Sequence, residues 1–309
     1  MTTMNHVSFF WLPTDQQELF QAVETEFAQM VESSIQSGKF ELPPIPHVVL
    51  DIQKLCLQES TTIADVADSL INDPSLTAVV LRVANSVIFN SRGITYSDIN
   101  TAVSRLGIYR VRDIVTAQAI KQLKYSVHLR DECVQILRQS ATNSRKLCAA
   151  MVLVIKSFQE IDPETYAYLE HDKALLVGLL ADIGLFCLLN EYHNYLEQGN
   201  YLEHNLAMRI FESRCDRTSY YVLKTWGFDN DYLSVATSKE VSEKEHDVSY
   251  LDIAKIAYHL LLFRDQDSDI DEHEVEINTT GAEVLYQLSN LSDSEFNTQI
   301  SSIIHSSGF

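Results

Sequence analysis

The sequence predicts an all-α protein: two helical lobes, with an extra helix at the N-terminus. Three observations carry that expectation. Only nine Gly and six Pro stand among 309 residues, too few for the many tight turns of an all-β chain. Apolar residues recur at three- and four-residue steps along most of the chain. No stretch of five or more residues alternates strictly between apolar and polar with β-branched enrichment.

Each element follows in order. From about Asp15 to Ser37, Leu19, Phe20, Val23, Phe27, Met30, Val31 and Ile35 form one apolar stripe, and Gly38 can end that leader helix. Leu42-Pro43-Pro44-Ile45-Pro46 forces an extended entry into the first lobe. Val48, Val49, Ile52, Leu55 and Cys56 then take helical spacing. Thr62 and Asp65 resemble a capping box for a helix through Ile71. Asp73-Pro74 caps and starts an apolar, buried helix over Ser75 to Phe89. Ser97 opens a helix that Gly107 stops, and another runs from about Arg110 to Leu123. In the second lobe, Asp131 to Phe158 is one long amphipathic pattern and His171 to Leu189 a strongly apolar, central helix. Further helices fit about 202–212, 216–226, 230–239, 249–263, 279–289 and 293–305.

Charge supports the division. Residues 1–40 carry net −4, residues 41–125 are neutral, and residues 126–309 carry net −16. These are read as leader, neutral lobe and acidic lobe. The total of −20 sets up a field that repels nucleic acid and anionic membrane, so neither is an expected partner. Leu175 to Leu189 is interrupted by Asp182 and is too short to span a bilayer, and Met1 to Thr14 lacks the basic start of a secretory signal. Five cysteines, an odd count without a Cys-x-x-Cys pair, read as buried free thiols in a reducing cytoplasm.

Six landmarks stand in order. They are Leu42 to Pro46; Asp73-Pro74-Ser75-Leu76-Thr77; Arg82-Val83-Ala84-Asn85-Ser86; Ala102 to Gly107; Gly178-Leu179-Leu180-Ala181-Asp182-Ile183-Gly184; and Trp226-Gly227. Together they resemble the HDOD family, bacterial signalling domains related to the HD metal-dependent phosphohydrolases, over roughly residues 40 to 240. The resemblance implies an all-α fold and a bacterial cytoplasmic protein whose partners are other signalling proteins, with oligomers allowed.

An active HD hydrolase needs a divalent metal, which activates water and neutralises phosphate charge. The resemblance implies a leading His, a His-Asp pair, further His residues and a late Asp as its ligands. Those positions fall here at or near Gln139, Ala181 with Asp182, Cys215, Lys239 with Glu240, and Tyr258; none is a His, and of the His-Asp pair only Asp182 remains. Three or more converging ligands are required, so no metal, no cofactor and no catalytic residue is expected, and Asp182 is read as a vestige with a structural role. The expected function is non-catalytic signal transduction through protein–protein contact. The alternatives are a divergent phosphohydrolase built around Asp182 and a nucleotide or anion sensor.

Arg105, Arg110 and Arg112, with Lys121 and Lys124, form the one basic cluster and the candidate contact for an anion or partner. Solvated helix faces, paired with the acidic lobe, are the competing expectation. His171-Asp172 is a literal His-Asp pair, read as a solvated helix start. Asp265 to Glu276 imitates a calcium loop, but Ile270 stands where Gly is needed, so a flexible acidic linker is expected. His193, His204, His246, His259 and His273 are scattered and read mostly as surface residues.

Overall fold

The computed structural model describes residues 11, 25–37, 45–90, 92–126, 129–243 and 246–308. Among them are fourteen α-helices, one 3-10 turn and no strand. In chain order the helices are α1 (Glu26–Ser37), α2 (His47–Cys56), α3 (Ile63–Ile71), α4 (Pro74–Ala84), α5 (Ile99–Leu106), α6 (Ile108–Ser126), α7 (Asp131–Ile161), α8 (His171–Leu180), α9 (Gly184–Glu197), α10 (His204–Thr225), α11 (Asn230–Thr237), α12 (Tyr250–Asp265), α13 (Thr279–Ser289) and α14 (Asp293–Ser306).

Local chemistry starts most of them. Thr62 and Asp65 form a reciprocal capping box on α3, and the Asp73 carboxylate accepts from the amides of Ser75 and Leu76, both at 3.0 Å, with Pro74 in the first turn. Asp98, one residue past the expected Ser97, caps α5, and Gly107 ends it at φ +82°. Ser249 with Asp252 and Ser292 with Glu295 box the starts of α12 and α14.

The first lobe is α2 to α6, with α6 packed on α2 and α4. The second is built around α7, which lies against α8, α12, α13 and α14. Its middle turns are buried all round, as an axial helix requires. Helix α1 docks on α9 and α10: Phe27 is fully buried among Tyr192, Tyr195 and Phe211, and Arg217 grips Glu32 with two hydrogen bonds of 2.8 and 2.9 Å. The leader helix thus contacts the second lobe; its expected first part, residues 15–24, lies outside the described residues, as do Leu42 to Pro44. The chain end returns to the first lobe, where the Gly308 carbonyl accepts from Arg82 at 2.8 Å.

Three elements differ from the expectation. The helix expected over Ser75 to Phe89 ends at Ala84, where the Asn85 side chain donates to the Leu81 and Tyr96 carbonyls. The helices expected at 202–212 and 216–226 are one helix, α10, because no Gly or Pro interrupts it and Cys215 sits in its buried face. The apolar helix expected over His171 to Leu189 breaks at Ala181–Ile183 into α8 and α9. The longer helical stretch His171–Glu197, which contains Leu175 to Leu189, is long and apolar enough by length and composition to cross a membrane, but 83% of its most apolar window is buried inside the protein.

Candidate functional site

The break between α8 and α9 positions Asp182. Two glycines make the break possible. A Cβ on Gly178 would lie 2.7 Å from the Cys148 Cα, so α8 crosses α7 backbone to backbone. A Cβ on Gly184 would lie 2.4 Å from the Ser219 nitrogen, so the start of α9 presses on α10, and the Gly184 amide donates to the Ser219 hydroxyl at 2.9 Å. Asp182, only 1% exposed, is turned toward α7. There it accepts hydrogen bonds from Ser140 and, at 2.9 Å, from Ser144, one helical turn apart.

The other expected ligand positions supply little. Gln139 faces solvent and donates to Asn143 at 2.9 Å, so its neighbour Ser140 is the residue that reaches Asp182. Ala181 is buried and brings only a methyl group. Cys215 lies 4.0 Å from the Asp182 carbonyl, and burial pushes its thiol pKa well up, away from the thiolate a metal needs. Tyr258 is fully buried on α12 with the Trp11 ring 5.8 Å away. A hydroxyl-locked carboxylate, a methyl group and a protonated thiol do not fit a divalent metal. Among the described residues no group of three or more His, Cys, Asp or Glu side chains could hold a metal ion. The HD-type site is degenerate among the described residues.

The basic cluster lies where the lobes meet. Arg110 on α6 pairs with Glu170 at 2.7 Å and with Asp172 at 3.1 Å. Burial opposes its charge, but Asp172 and Glu170 outweigh that, and its pKa stands above the usual value. Arg112 is buried: it pairs with Asp113, donates to the Gly227 carbonyl at 2.6 Å and stacks 4.3 Å over the Phe228 ring. Gly227, at φ +72° just past the end of α10, is the residue that turns this carbonyl toward α6. Tyr232 on α11 donates to Asp113 at 2.7 Å, and burial raises the pKa of Asp113. Lys173 on α8 bonds Asp231 and, at 3.1 Å, Asp229, which hold its pKa above normal although burial opposes the charge.

Arg110 and Arg112 are therefore not on solvated helix faces. They pin the first lobe to the second, while Arg105 stays exposed at the end of α5. The Lys124 side chain lies outside the described residues. His171-Asp172 does begin a helix, but Asp172 is engaged with Arg110 rather than solvated. Two adjoining cavities open here, the first at the seam between the lobes and the second beside it, within the second lobe. One of about 410 Å³ is lined by Leu106, Ile108, Tyr109, Arg110 and Gly227 among others, and one of about 400 Å³ by Tyr168, Asp231, Glu240, His246 and Tyr250 among others. They meet at Glu170, Lys173 and Asp229.

The acidic segment after α12 is folded, contrary to the linker expectation. Ser268–Asp271 is a 3-10 turn, and Asp267 and His273 are both 3% exposed. His273 is not a surface residue: its ring lies 4.6 Å from Trp11, and its Nδ1 is 3.3 Å from Nδ1 of His259. Burial pushes the His273 pKa down to about 3. Sequence reasoning missed this cluster because its members are far apart in the chain and carry no periodic signal.

The model of the HDOD domain family matches residues 42–241. Among solved structures, the chain is similar to a presumed metal-dependent phosphohydrolase of Shewanella amazonensis SB2B, with 20% identity and a TM-score of 0.65 over 95% of this chain and 100% of that one. A presumed phosphohydrolase of the same organism is 17% identical, with a TM-score of 0.50 over 89% of this chain and 97% of that one. An HDOD domain protein of unknown function from Geobacter sulfurreducens is 20% identical, with a TM-score of 0.48 over 92% of this chain and 98% of that one. No curated protein matches. At these identities the likeness to the Shewanella structures is one of fold.

Proposed function

The chain belongs to the HDOD domain family, and from that premise we propose that it is a non-catalytic signalling component that works by binding another protein along the seam between its lobes. The observation behind the first half is the closed lock of Asp182 on Ser140 and Ser144, which occupies the place where an HD hydrolase would gather its metal ligands. The seam supports the second half. It opens into a cavity of about 410 Å³ that combines apolar rim residues with fixed charges, and a second cavity adjoins it. The division of the chain at residues 40 and 125 is part of the same proposal.

The test is capture of a partner from extract with the wild-type chain and with Leu57→Ser/Tyr109→Ala. Both residues are largely exposed at the seam, Leu57 beside Gly227 and Tyr109 over Arg112, so their truncation leaves the core intact. A protein retained by the wild type and lost by the double variant supports the reading. Partners retained equally by both put the binding face elsewhere. Nucleotide or anion sensing is the weaker reading, because both guanidinium groups of Arg110 and Arg112 are already taken by carboxylates.

A further inference from the structure

We propose that the seam takes a positively charged segment of the partner, one that presents lysine or arginine side chains; the inference rests on the protein-binding role proposed above and gives that partner its chemistry. It comes from a burial asymmetry inside the ion pairs. Arg110 is 14% exposed and its partner Glu170 57%; Lys173 is 18% exposed and its partners Asp229 and Asp231 54% and 37%. In each pair the cation is sunk in the floor and the carboxylate faces out. Each cation is shared by two carboxylates, so each group carries a net negative charge and presents negative oxygens to an incoming molecule.

The walls fit the same ligand. Tyr168 and His246 stack at 3.8 Å between centroids and 23° between planes, giving the second cavity a broad aromatic face. Asp231, Glu240 and Glu243 line the same cavity. A guanidinium or ammonium group finds there both the π-face and the carboxylates it favours. Lys173 already demonstrates the arrangement, with its ammonium 5.2 Å from the Tyr250 ring centroid and bonded to Asp231. The first cavity offers Leu106, Ile108 and Tyr109 to the aliphatic stems of such side chains or to an apolar neighbour. At longer range the net −16 of residues 126–309 steers a cation inward. An anion would have to displace Glu170 and Asp172 before it reached Arg110.

Fluorescence anisotropy tests it with a labelled peptide of alternating lysine and leucine, and with the glutamate–leucine counterpart. The basic peptide is expected to bind, more weakly at high salt, and to lose at least tenfold in affinity in Glu240→Lys/Glu243→Lys. The control Glu160→Lys/Glu283→Lys makes the same change in net charge at exposed positions away from the cavity linings and is expected to bind as the wild type does. Thermal melts establish that both variants fold. No binding of the basic peptide, equal losses in both variants, or tighter binding of the acidic peptide overturns the inference. If a partner is still captured in a seam-dependent way while the basic peptide fails, the charge inference falls and the protein-binding reading stands. If capture does not depend on the seam, that reading falls too.

Discussion

The phenol of Tyr232 donates a 2.7 Å hydrogen bond to the carboxylate of Asp113, joining α11 to α6 across 119 positions of sequence. Asp113 is 4% exposed and faces Arg112 on its other side. The pair is buried where the two lobes meet.

Tyr232→Phe keeps the ring and removes the donor. The carboxylate then stays buried with one partner fewer, which costs about 1–3 kcal/mol. Tyr192→Phe is the contrast: among the described residues that buried phenol reaches only the Leu202 carbonyl, at 3.5 Å, and its loss is expected to cost under about 1 kcal/mol. Urea denaturation of the two variants checks the ranking. Equal costs would mean that Asp113 draws nothing from the phenol.

Gly184→Ala and Gly178→Ala should both destabilise, Gly184→Ala more. The added methyl at 184 meets the Ser219 nitrogen at 2.4 Å and the Cys215 carbonyl oxygen at 2.7 Å, and these atoms belong to the α10 backbone. They cannot rotate away, so the helices must part, at a cost of about 3 kcal/mol. Gly199→Ala is the control for backbone entropy: at φ +87° it is strained but meets no atom within 4 Å. A Gly184→Ala protein that melts with the wild type would refute the close crossing.

The sequence reveals much of this fold and little of the seam. The capping box at Thr62 and Asp65 and the start at Asp73-Pro74 are legible because their partners lie within three residues. The break at Asp182 is not legible, since the run from Leu175 to Leu189 is apolar on every face and so carries no period. The residues that bond Asp182 at the break lie elsewhere in the chain, at Ser140 and Ser144 on α7. Arg112 reads as a surface cation until Gly227, 115 residues away, is brought to it. The degeneracy of the HD site is legible, because a missing imidazole is a property of composition. The residue of α7 that reaches Asp182 is not legible: the resemblance points at or near Gln139, which faces solvent, and the helix turns Ser140 inward.

Ser140→Ala/Ser144→Ala removes two donors from a carboxylate that is 1% exposed. The variant should lose about 2–4 kcal/mol, measured by urea denaturation, since a buried charge is left short of partners. Adding Asp182→Asn should return part of that loss, because the neutral amide is cheaper to bury. A double variant as stable as the wild type would remove the structural role assigned to Asp182.

His273 makes the fold sensitive to acid, and the sign can be worked out. In the unfolded chain the imidazole takes a proton below its ordinary value of 6.5; in the folded protein burial delays this to about 3. Between those values the unfolded state binds more protons, so stability falls as pH falls through the window. From pH 7 to pH 5 the loss from this one group is about 2 kcal/mol. The groups that face it are His259 and Tyr258 on α12 and the ring of Trp11, with Lys255 adding repulsion. His259 is also lowered by burial and acts with the same sign, whereas the raised carboxyls of Asp113 and Asp172 act with the opposite one. The absolute pH profile is therefore a mixture, and the informative quantity is the difference between the wild type and His273→Gln. The two should converge as pH falls from 7 to 5, by urea denaturation or by melting temperature. Parallel profiles would mean that His273 protonates as readily in the folded protein as in the unfolded chain, and that the Trp11–His273 contact does not exclude water from the ring.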